Sequence, residues 1–301
     1  MTKRENRKEV FIDLRTDFGF KRCLGNENPM RSFLNAILSE DYGVIRSVVF
    51  ENVEMPSDRQ DGRGVTFDLR CKTDDGTEIL VEMQNYSQRL FKTRSNYYLY
   101  RLMDRHVKRG FKWNDEKDIP RLLGIFIMDK PVKGLDKLVT RTAELDMDTK
   151  TEFWDRMRKY YITLPYFGRD QDSGGLTIRN IWIDIVKNLG IMEEIDPHVF
   201  EVADEGLLEL IEKARVSALS PEEYARYEAE LKIIGDEGSA EAYGYDRGVD
   251  DGIQKGMQKG MQKGIQKHAA ETARRMIELG DPISKIAFCT GLTQEEVEKL
   301  M

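Results

Sequence analysis

Two short stretches of alternating apolar and polar residues, joined by a turn signal, place the strongest constraint on how this 301-residue chain folds. They are residues 65–71 (VTFDLRC) and 78–84 (EILVEMQ), and Asp74-Asp75-Gly76 lies between them. Alternation with a period of two predicts β-strands, and an Asp-Gly pair between two strands predicts a hairpin. The chain is therefore expected to contain a β-sheet that includes this hairpin.

The length of the turn decides which side chains of the hairpin meet. A two-residue loop, Asp75-Gly76, would put Asp68 and Glu82 on opposite faces. A three-residue loop, Asp74-Asp75-Gly76, places the two residues directly opposite each other on one face. The three-residue loop is a common hairpin connection, and it uses Gly76 at the position that requires a positive φ. We therefore predict that Asp68 and Glu82 face each other.

Facing carboxylates suggest a metal site. Such a pair is repulsive on adjacent strands unless a cation lies between its members. Mg²⁺ binds one or two protein carboxylates together with water and substrate phosphate, and it can activate that water for attack on the phosphate. Gln84 shares the face of Glu82 and is placed to orient a water molecule. The alternative is a half-exposed hairpin with polar residues on its wet face.

The distribution of charge points to a nucleic-acid partner in spite of a net charge of −7. Residues 1–165 hold 31 Lys and Arg against 27 Asp and Glu, which leaves a net charge of −11 for the remainder. Between residues 89 and 112, eight cations accompany the single acid Asp104. A predicted helix with this composition suits phosphate contacts, although a solvated helix face has the same composition. The predicted DNA contacts are Arg89, Lys92, Arg94, Arg101, Arg105, Lys108 and Arg109.

Several classes of protein are disfavoured by the sequence. Its apolar runs are shorter than the ~18–20 residues of a membrane span, and no apolar stretch follows the first residues as in a signal peptide. The three cysteines and three histidines are too far apart to indicate a disulfide framework or a zinc cluster. We expect a cytoplasmic protein.

Apolar periodicity gives the order of elements around the hairpin. Helices are predicted at 29–38 and 89–108, and strands at 45–51 and 121–128. This order predicts an α/β fold with a mixed sheet flanked by helices. After about residue 175 the pattern becomes helical, with a helix at 178–189 and a strong helix start at Ser220-Pro221.

A glycine recurs at every fourth position near the C-terminus, and the apolar residues follow the same period. Because each interior glycine costs a helix about 1 kcal/mol relative to alanine, an isolated helix would be weak here. The segment is either a flexible tether or a helix packed against a partner through its glycine edge, and we favour the packed helix and a homo-oligomer. The glycines are Gly244, Gly248, Gly252, Gly256, Gly260 and Gly264.

The last segment, 281–300, predicts two short helices around Thr290-Gly291-Leu292, with a capping box formed by Thr293 and Glu296. This pattern is similar to a helix-turn-helix. Because the segment has only two cations, Lys285 and Lys299, a small protein-interaction or oligomerisation unit is an equal alternative.

Taken together, these segments resemble the PD-(D/E)XK nuclease superfamily, in particular its Rpn-type recombination-promoting nuclease/transposase branch. The resemblance covers most of the chain, including the glycine repeat and the Thr-Gly-Leu-Thr ending. The matching segments are 16–22 (TDFGFKR), 33–38 (FLNAIL), 64–68 (GVTFD), 81–84 (VEMQ), 94–98 (RSNYY) and the strand at 122–128.

The resemblance implies a restriction-endonuclease-like core and DNA cleavage that depends on Mg²⁺, or on Mn²⁺ in its place. Asp68 and Glu82 would be the metal ligands. Gln84 occupies the position of the signature lysine, and an amide cannot supply a positive charge. Lys21 would bring a cation to the site, and Asp17 is either a further acidic group of the site or a helix cap. The alternative function is a DNA-binding or oligomeric assembly protein with weak or no catalysis.

We predict four parts along the chain: a nuclease-like domain at 1–170, an all-helical extension at 171–235, the glycine-repeat helix or tether at 236–268, and a helix-turn-helix-like unit at 269–301.

Overall fold

The predicted hairpin lies within a mixed six-stranded sheet that has helices on both faces. The computed structural model describes residues 10–56, 64–85, 90–107, 109–114, 118–168 and 177–301, and only the backbone of residues 237–251. In chain order the elements are α1 (Asp17–Leu24), α2 (Glu27–Leu38), β1 (Val48–Phe50), β2 (Glu54–Met55), β3 (Val65–Thr66), β4 (Leu69–Thr73), β5 (Glu78–Gln84), α3 (Phe91–Asp104), β6 (Leu122–Met128), β7 (Val139–Leu145), β8 (Glu152–Thr163), α4 (Ile178–Asn188), α5 (Pro197–Val202), α6 (Glu205–Lys213), α7 (Pro221–Glu278), α8 (Ile283–Thr290) and α9 (Gln294–Glu298).

The strand order of the sheet is β1-β4-β5-β6-β8-β7, and β2 and β3 form a separate two-stranded sheet. The central strands β5, β6 and β8 run parallel, and the outer pairings are antiparallel. β6 is buried at every position, as its apolar sequence LLGIFIM requires of a strand covered on both faces. The predicted α/β class with a restriction-endonuclease-like mixed sheet is confirmed.

Each face of the sheet has its own apolar core. On one face Ile79 and Val81 of β5 pack with side chains from α1, α2, α4 and α6, among them the fully buried Trp182. On the other face Leu80 and Phe126 pack against α3 through Leu99. The two faces follow from the alternation along β5, which sends successive side chains to opposite sides. α4 and α6 therefore share the core of the sheet.

The strand predicted over 65–71 differs from the structure, and some elements were missed. The strand expected over 65–71 is broken at Phe67 and Asp68, so that β3 and β4 belong to different sheets. The helix α1 and the strands β7 and β8 were not predicted. α1 has only eight residues, and β7 is an edge strand with mostly exposed or half-exposed side chains, so neither carries a clear apolar period.

The chain divides into two units, residues 1–232 and 233–301. α7 is helical over 58 residues and begins at the predicted capping box, in which Ser220 and Glu223 exchange hydrogen bonds. The glycine segment is thus helical, and no neighbouring atom outside the helix lies within 4 Å of where a Cβ would stand on Gly252, Gly256, Gly260 or Gly264.

In the second unit, the two short helices predicted around Gly291 are present as α8 and α9, and Thr293 and Glu296 form the predicted capping box. A small core of Ala273, Ile286 and Val297 joins them to the end of α7. Over the described residues, no helix is both long and apolar enough to cross a membrane.

Candidate active site

The hairpin has the three-residue turn, and its register brings Asp68 and Glu82 together. Leu69 pairs with Val81 along the antiparallel ladder, so the next position outward pairs residue 68 with residue 82. Gly76 has a φ of +87°, as this turn requires. The predicted turn and register are confirmed.

Asp68 lies at the point where two neighbouring strands separate. β4 begins one residue later, so the ladder between β4 and β5 ends here. The side chains replace the missing ladder: Asp68 Oδ2 accepts a hydrogen bond of 2.8 Å from the Met83 N–H, and Glu82 Oε1 accepts one of 3.0 Å from the Asp68 N–H. Each carboxylate is fixed by one oxygen, and its second oxygen takes no part in this exchange.

The surroundings of both carboxylates disfavour their negative charge. Glu82 is buried, and this burial together with the nearby charge of Asp68 raises the pKa of Glu82 to about 8. Burial also raises the pKa of Asp68, and the charge of Asp17 adds to the shift. Because desolvation disfavours the charged form, a pair like this gains stability from a bound proton or a bound cation.

Arg94 of α3 brings a positive charge to this pair. Its Nη2 lies 3.7 Å from Glu82 Oε2, and its Nη1 donates a 3.3 Å hydrogen bond to Gln84 Oε1. Tyr98, one turn along the helix, accepts a 2.7 Å hydrogen bond from Nε and lies under the guanidinium. Sequence reasoning assigned Arg94 to a DNA-contacting surface and missed this position. The available signal was the helical spacing of Arg94 and Tyr98 shortly after Gln84.

Lys21 approaches from the other side of the sheet, on α1. Its Nζ lies 2.7 Å from Asp17 Oδ1 in an i,i+4 pair. Burial acts to lower the pKa of Lys21, but the hydrogen bond to Asp17 and the charges of Asp17, Asp68 and Glu82 outweigh it and raise that pKa. The alternative that Asp17 caps α1 is wrong, because Thr16 is the cap and accepts a hydrogen bond from the Gly19 N–H.

A second arginine, Arg15, ties the start of α1 to the ends of the central strands. Its guanidinium bonds to Asp13 and lies 3.1 Å from Asp129, which follows β6. The Asp129 N–H in turn donates to the Gln84 carbonyl at 2.9 Å. These contacts hold the segment that carries Asp17 and Lys21 beside the end of β5. The sequence offered no periodic signal for them, because the partners are far apart along the chain.

The predicted DNA contacts are distributed along α3 and just beyond it. Arg89 and Lys108 lie outside the described residues. Lys92 is exposed near the start of the helix, whereas Arg101 and Arg105 follow Arg94 on one stripe, at helical spacings of seven and four residues. Arg109 lines the same cavity as Arg101 and Arg105. Their contact with DNA remains a prediction.

The donor set fits a hard divalent cation. Among the described residues, no group of three or more His, Cys, Asp or Glu side chains could hold a metal ion. Two carboxylates are nevertheless sufficient for Mg²⁺, which keeps several waters and completes its octahedral shell with substrate oxygens. The second oxygens of Asp68 and Glu82 would be the protein ligands, and the ion would neutralise the buried negative charges.

Comparison with known proteins adds one finding to this geometry. The family model of PD-(D/E)XK nuclease family transposases matches residues 14–244, from the segment before α1 into α7. The chain belongs to this family. No curated protein and no solved structure matches the chain.

Proposed function

We propose that this PD-(D/E)XK nuclease family transposase is a Mg²⁺-dependent DNA endonuclease of the recombination-promoting type, which hydrolyses phosphodiester bonds at Asp68 and Glu82. One observation carries the proposal: two carboxylates face each other where two strands separate, each locked by a hydrogen bond from the opposite strand. A purely structural carboxylate pair would be better replaced by neutral groups, because burial of two like charges is unfavourable.

Each residue at the site would have its own role. Asp68 and Glu82 would bind Mg²⁺, or Mn²⁺ in its place, and when bound the ion supplies an activated water and stabilises charge on the phosphate. Gln84 would hold that water through its amide. Arg94 would contribute the positive charge that glutamine lacks, and Lys21 would balance the carboxylates from the α1 side.

DNA would approach along α3. Arg94, in the first turn of α3, contacts Glu82 and Gln84, so this turn lies beside the carboxylate pair. The N-terminal end of a helix also favours a phosphate group. Farther along the helix, Arg101 and Arg105 continue the same stripe. Attraction of this kind contributes affinity without sequence preference, and it weakens as salt rises.

Nicking of supercoiled plasmid tests the proposal. The wild type is expected to produce nicked circles with MgCl₂ and none with EDTA, while Asp68→Asn and Glu82→Gln lose the activity. Asp155→Asn, which removes an exposed carboxylate paired with Arg121, should retain it. Equal nicking by the wild type and the two site variants would assign the activity to a contaminant and refute the proposal.

Gln84 favours a second candidate, a DNA-binding assembly protein on a nuclease fold without useful catalysis. Such a protein would bind DNA in a salt-sensitive manner and give no metal-dependent product. Fluorescence anisotropy with a labelled duplex, measured beside the nicking assay, separates the two functions.

We also propose that the C-terminal helices join copies of the chain into a homo-oligomer. Ile253, Met257, Met261 and Ile265 are exposed along α7, next to glycines without neighbours, so an apolar edge is available. Light scattering of the full chain is expected to give an oligomer, and Met257→Glu with Met261→Glu should shift it to a monomer. A monomeric wild type would contradict this.

A further inference from the structure

A cavity of about 610 Å³ lies where α3 ends, between this end of the helix and the strand β2. Its β2 side begins at Asn52, next to Val53, whose carbonyl accepts a 3.0 Å hydrogen bond from the N–H of Phe67, the neighbour of Asp68. Arg94 is near Glu82, whereas Arg105 lines the cavity eleven residues later, about 16 Å along the helix at a rise of ~1.5 Å per residue. The volume is in the range of small-molecule sites, roughly 300–1,000 Å³.

Three arginines give the cavity a positive wall. Arg101 donates a 3.2 Å hydrogen bond to the Pro56 carbonyl, and its Nη1 lies 3.5 Å from Oδ2 of Asp104, which also lines the cavity. Its buried Nε has no hydrogen-bond acceptor among the described residues. Arg105 and Arg109 are exposed, and the described part of the chain places no carboxylate within ion-pair distance of them. An oxygen of a phosphate group entering here would satisfy the buried donor and meet two further guanidinium groups.

The rest of the lining suits the other parts of a nucleotide. Met55, Pro56 and Val107 are apolar and can cover the face of a base, while Asn52 and Glu54 offer polar groups for its edge. Enzymes that take a base out of the duplex read it with this combination of apolar surfaces and hydrogen bonds. A groove for duplex backbone alone would not need the apolar part.

A buried ion cluster fixes the two walls relative to each other. Arg70, itself buried, donates to the Asn52 carbonyl at 3.1 Å and to Glu78 at 2.8 Å. His106 Nε2, from the segment that follows α3, lies 3.0 Å from the same Glu78 carboxylate. Both walls therefore contact β4 and β5, of which β5 carries Glu82 and β4 begins next to Asp68.

We propose that this cavity binds one unpaired nucleotide of the DNA that lies along α3. The inference rests on the proposed DNA binding and names the structure of the substrate. A base inside a duplex is covered by its partner and its neighbours, so only an unpaired nucleotide can place its base in a cavity. Bulged, mismatched or branched DNA is thus the preferred substrate.

Fluorescence anisotropy in EDTA tests this with two labelled DNAs, a perfect duplex and the same duplex with a one-nucleotide bulge. The wild type is expected to bind the bulged DNA tighter by roughly fivefold or more. Val107→Trp, which places a bulky ring in the space for the base, should abolish the preference and leave the affinity for perfect duplex unchanged, which also shows that the variant is folded. Arg105→Gln should reduce the preference. Arg141→Gln makes the same charge change on the edge strand β7 and should retain it.

Equal binding of both DNAs by the wild type would overturn the inference and leave the proposed nuclease intact. A preference for the bulge that survives Val107→Trp would also overturn it, because the unpaired nucleotide would then bind elsewhere. Failure to bind either DNA would remove the proposed function itself, and with it this inference.

Discussion

The Arg94 guanidinium lies 3.7 Å from the Glu82 carboxylate, although the two residues belong to different layers of the fold. Glu82 is on the central strand β5, and Arg94 reaches it from the first turn of α3. The same guanidinium donates to Gln84, two residues farther along the strand. The covering helix α3 therefore brings a positive charge next to Glu82 and Gln84.

Glu82→Gln is expected to change how stability depends on pH in the absence of metal. The pKa of Glu82 is raised to about 8 in the folded protein, mainly by burial, so between about pH 5 and 8 the folded state keeps a proton that the unfolded state releases. Wild-type stability should fall over this window as pH rises. Glutamine does not titrate. Between pH 5 and 8, the free energy of unfolding of the variant should therefore rise by on the order of 1–3 kcal/mol relative to that of the wild type.

Urea unfolding in EDTA at the two pH values measures this difference. Parallel stability profiles for the wild type and Glu82→Gln would contradict it. Excess MgCl₂ should restore the stability of the wild type at pH 8 and leave the stability of the variant unchanged, because a ligand stabilises only the state that binds it.

Lys21→Gln is expected to reduce DNA cleavage by about 10–100-fold with little loss of stability, because the lost charge stabilises developing negative charge at the site. Its ion pair with Asp17 is largely exposed, and such pairs contribute only ~0–1 kcal/mol to folding. Lys285→Gln is a matched control, since Lys285 forms an equivalent i,i+4 pair with Asp281 at 2.7 Å. Initial rates of plasmid nicking and thermal melting of both variants check the prediction. Equal rates for the two variants would remove Lys21 from the site.

The hairpin was predictable because its information is local. The Asp-Gly turn selects the register, and the register alone places Asp68 opposite Glu82. The break at Asp68 was not predictable from the alternation of 65–71, since that pattern continues through the bend. At the break the chain changes partners, because Phe67 N–H donates to the Val53 carbonyl and β3 pairs with β2, and these residues are distant from the hairpin in sequence.

The cations of the site were harder to assign, because their positions depend on contacts between distant segments. The charge of residues 89–112 indicated a basic helix, yet composition cannot tell which cation faces the sheet. Of the three tyrosines of α3, Tyr98 is buried, whereas Tyr97 and Tyr100 are exposed. Arg94 shares the stripe of Tyr98 and so points to the strands.

Gly76→Ala should destabilise the protein by about 1–2 kcal/mol, because alanine is strained at a φ of +87°. Steric overlap is not the cause, since the nearest atom to an added Cβ is the Lys72 Cε at 3.8 Å. Gly43→Ala provides the control. Gly43 has no positive φ and no neighbour within 4 Å, so the stability of this variant should equal that of the wild type or exceed it slightly. Urea unfolding compares the two. An equal effect of both substitutions would show that the turn does not depend on left-handed backbone at Gly76.

Gln84→Lys recreates the lysine of the family signature and is nevertheless expected to lower activity. Gln84 is buried and accepts a hydrogen bond from Arg94, so an ammonium group there would lie against a guanidinium in a poorly solvated site. Like charges at such a distance disfavour each other, and a loss of roughly tenfold or more in cleavage rate corresponds to about 1.4 kcal/mol.

Arg94→Gln alone should also lower the rate, since the site then has no cation on this side. Combining Gln84→Lys with Arg94→Gln exchanges the two side-chain types and should restore most of the wild-type rate, which makes the effects strongly non-additive. Nicking rates of the four proteins complete the double-mutant cycle. If Gln84→Lys by itself increases the rate, then Arg94 does not supply the missing charge, because a second cation would be useful only where the first one does not act.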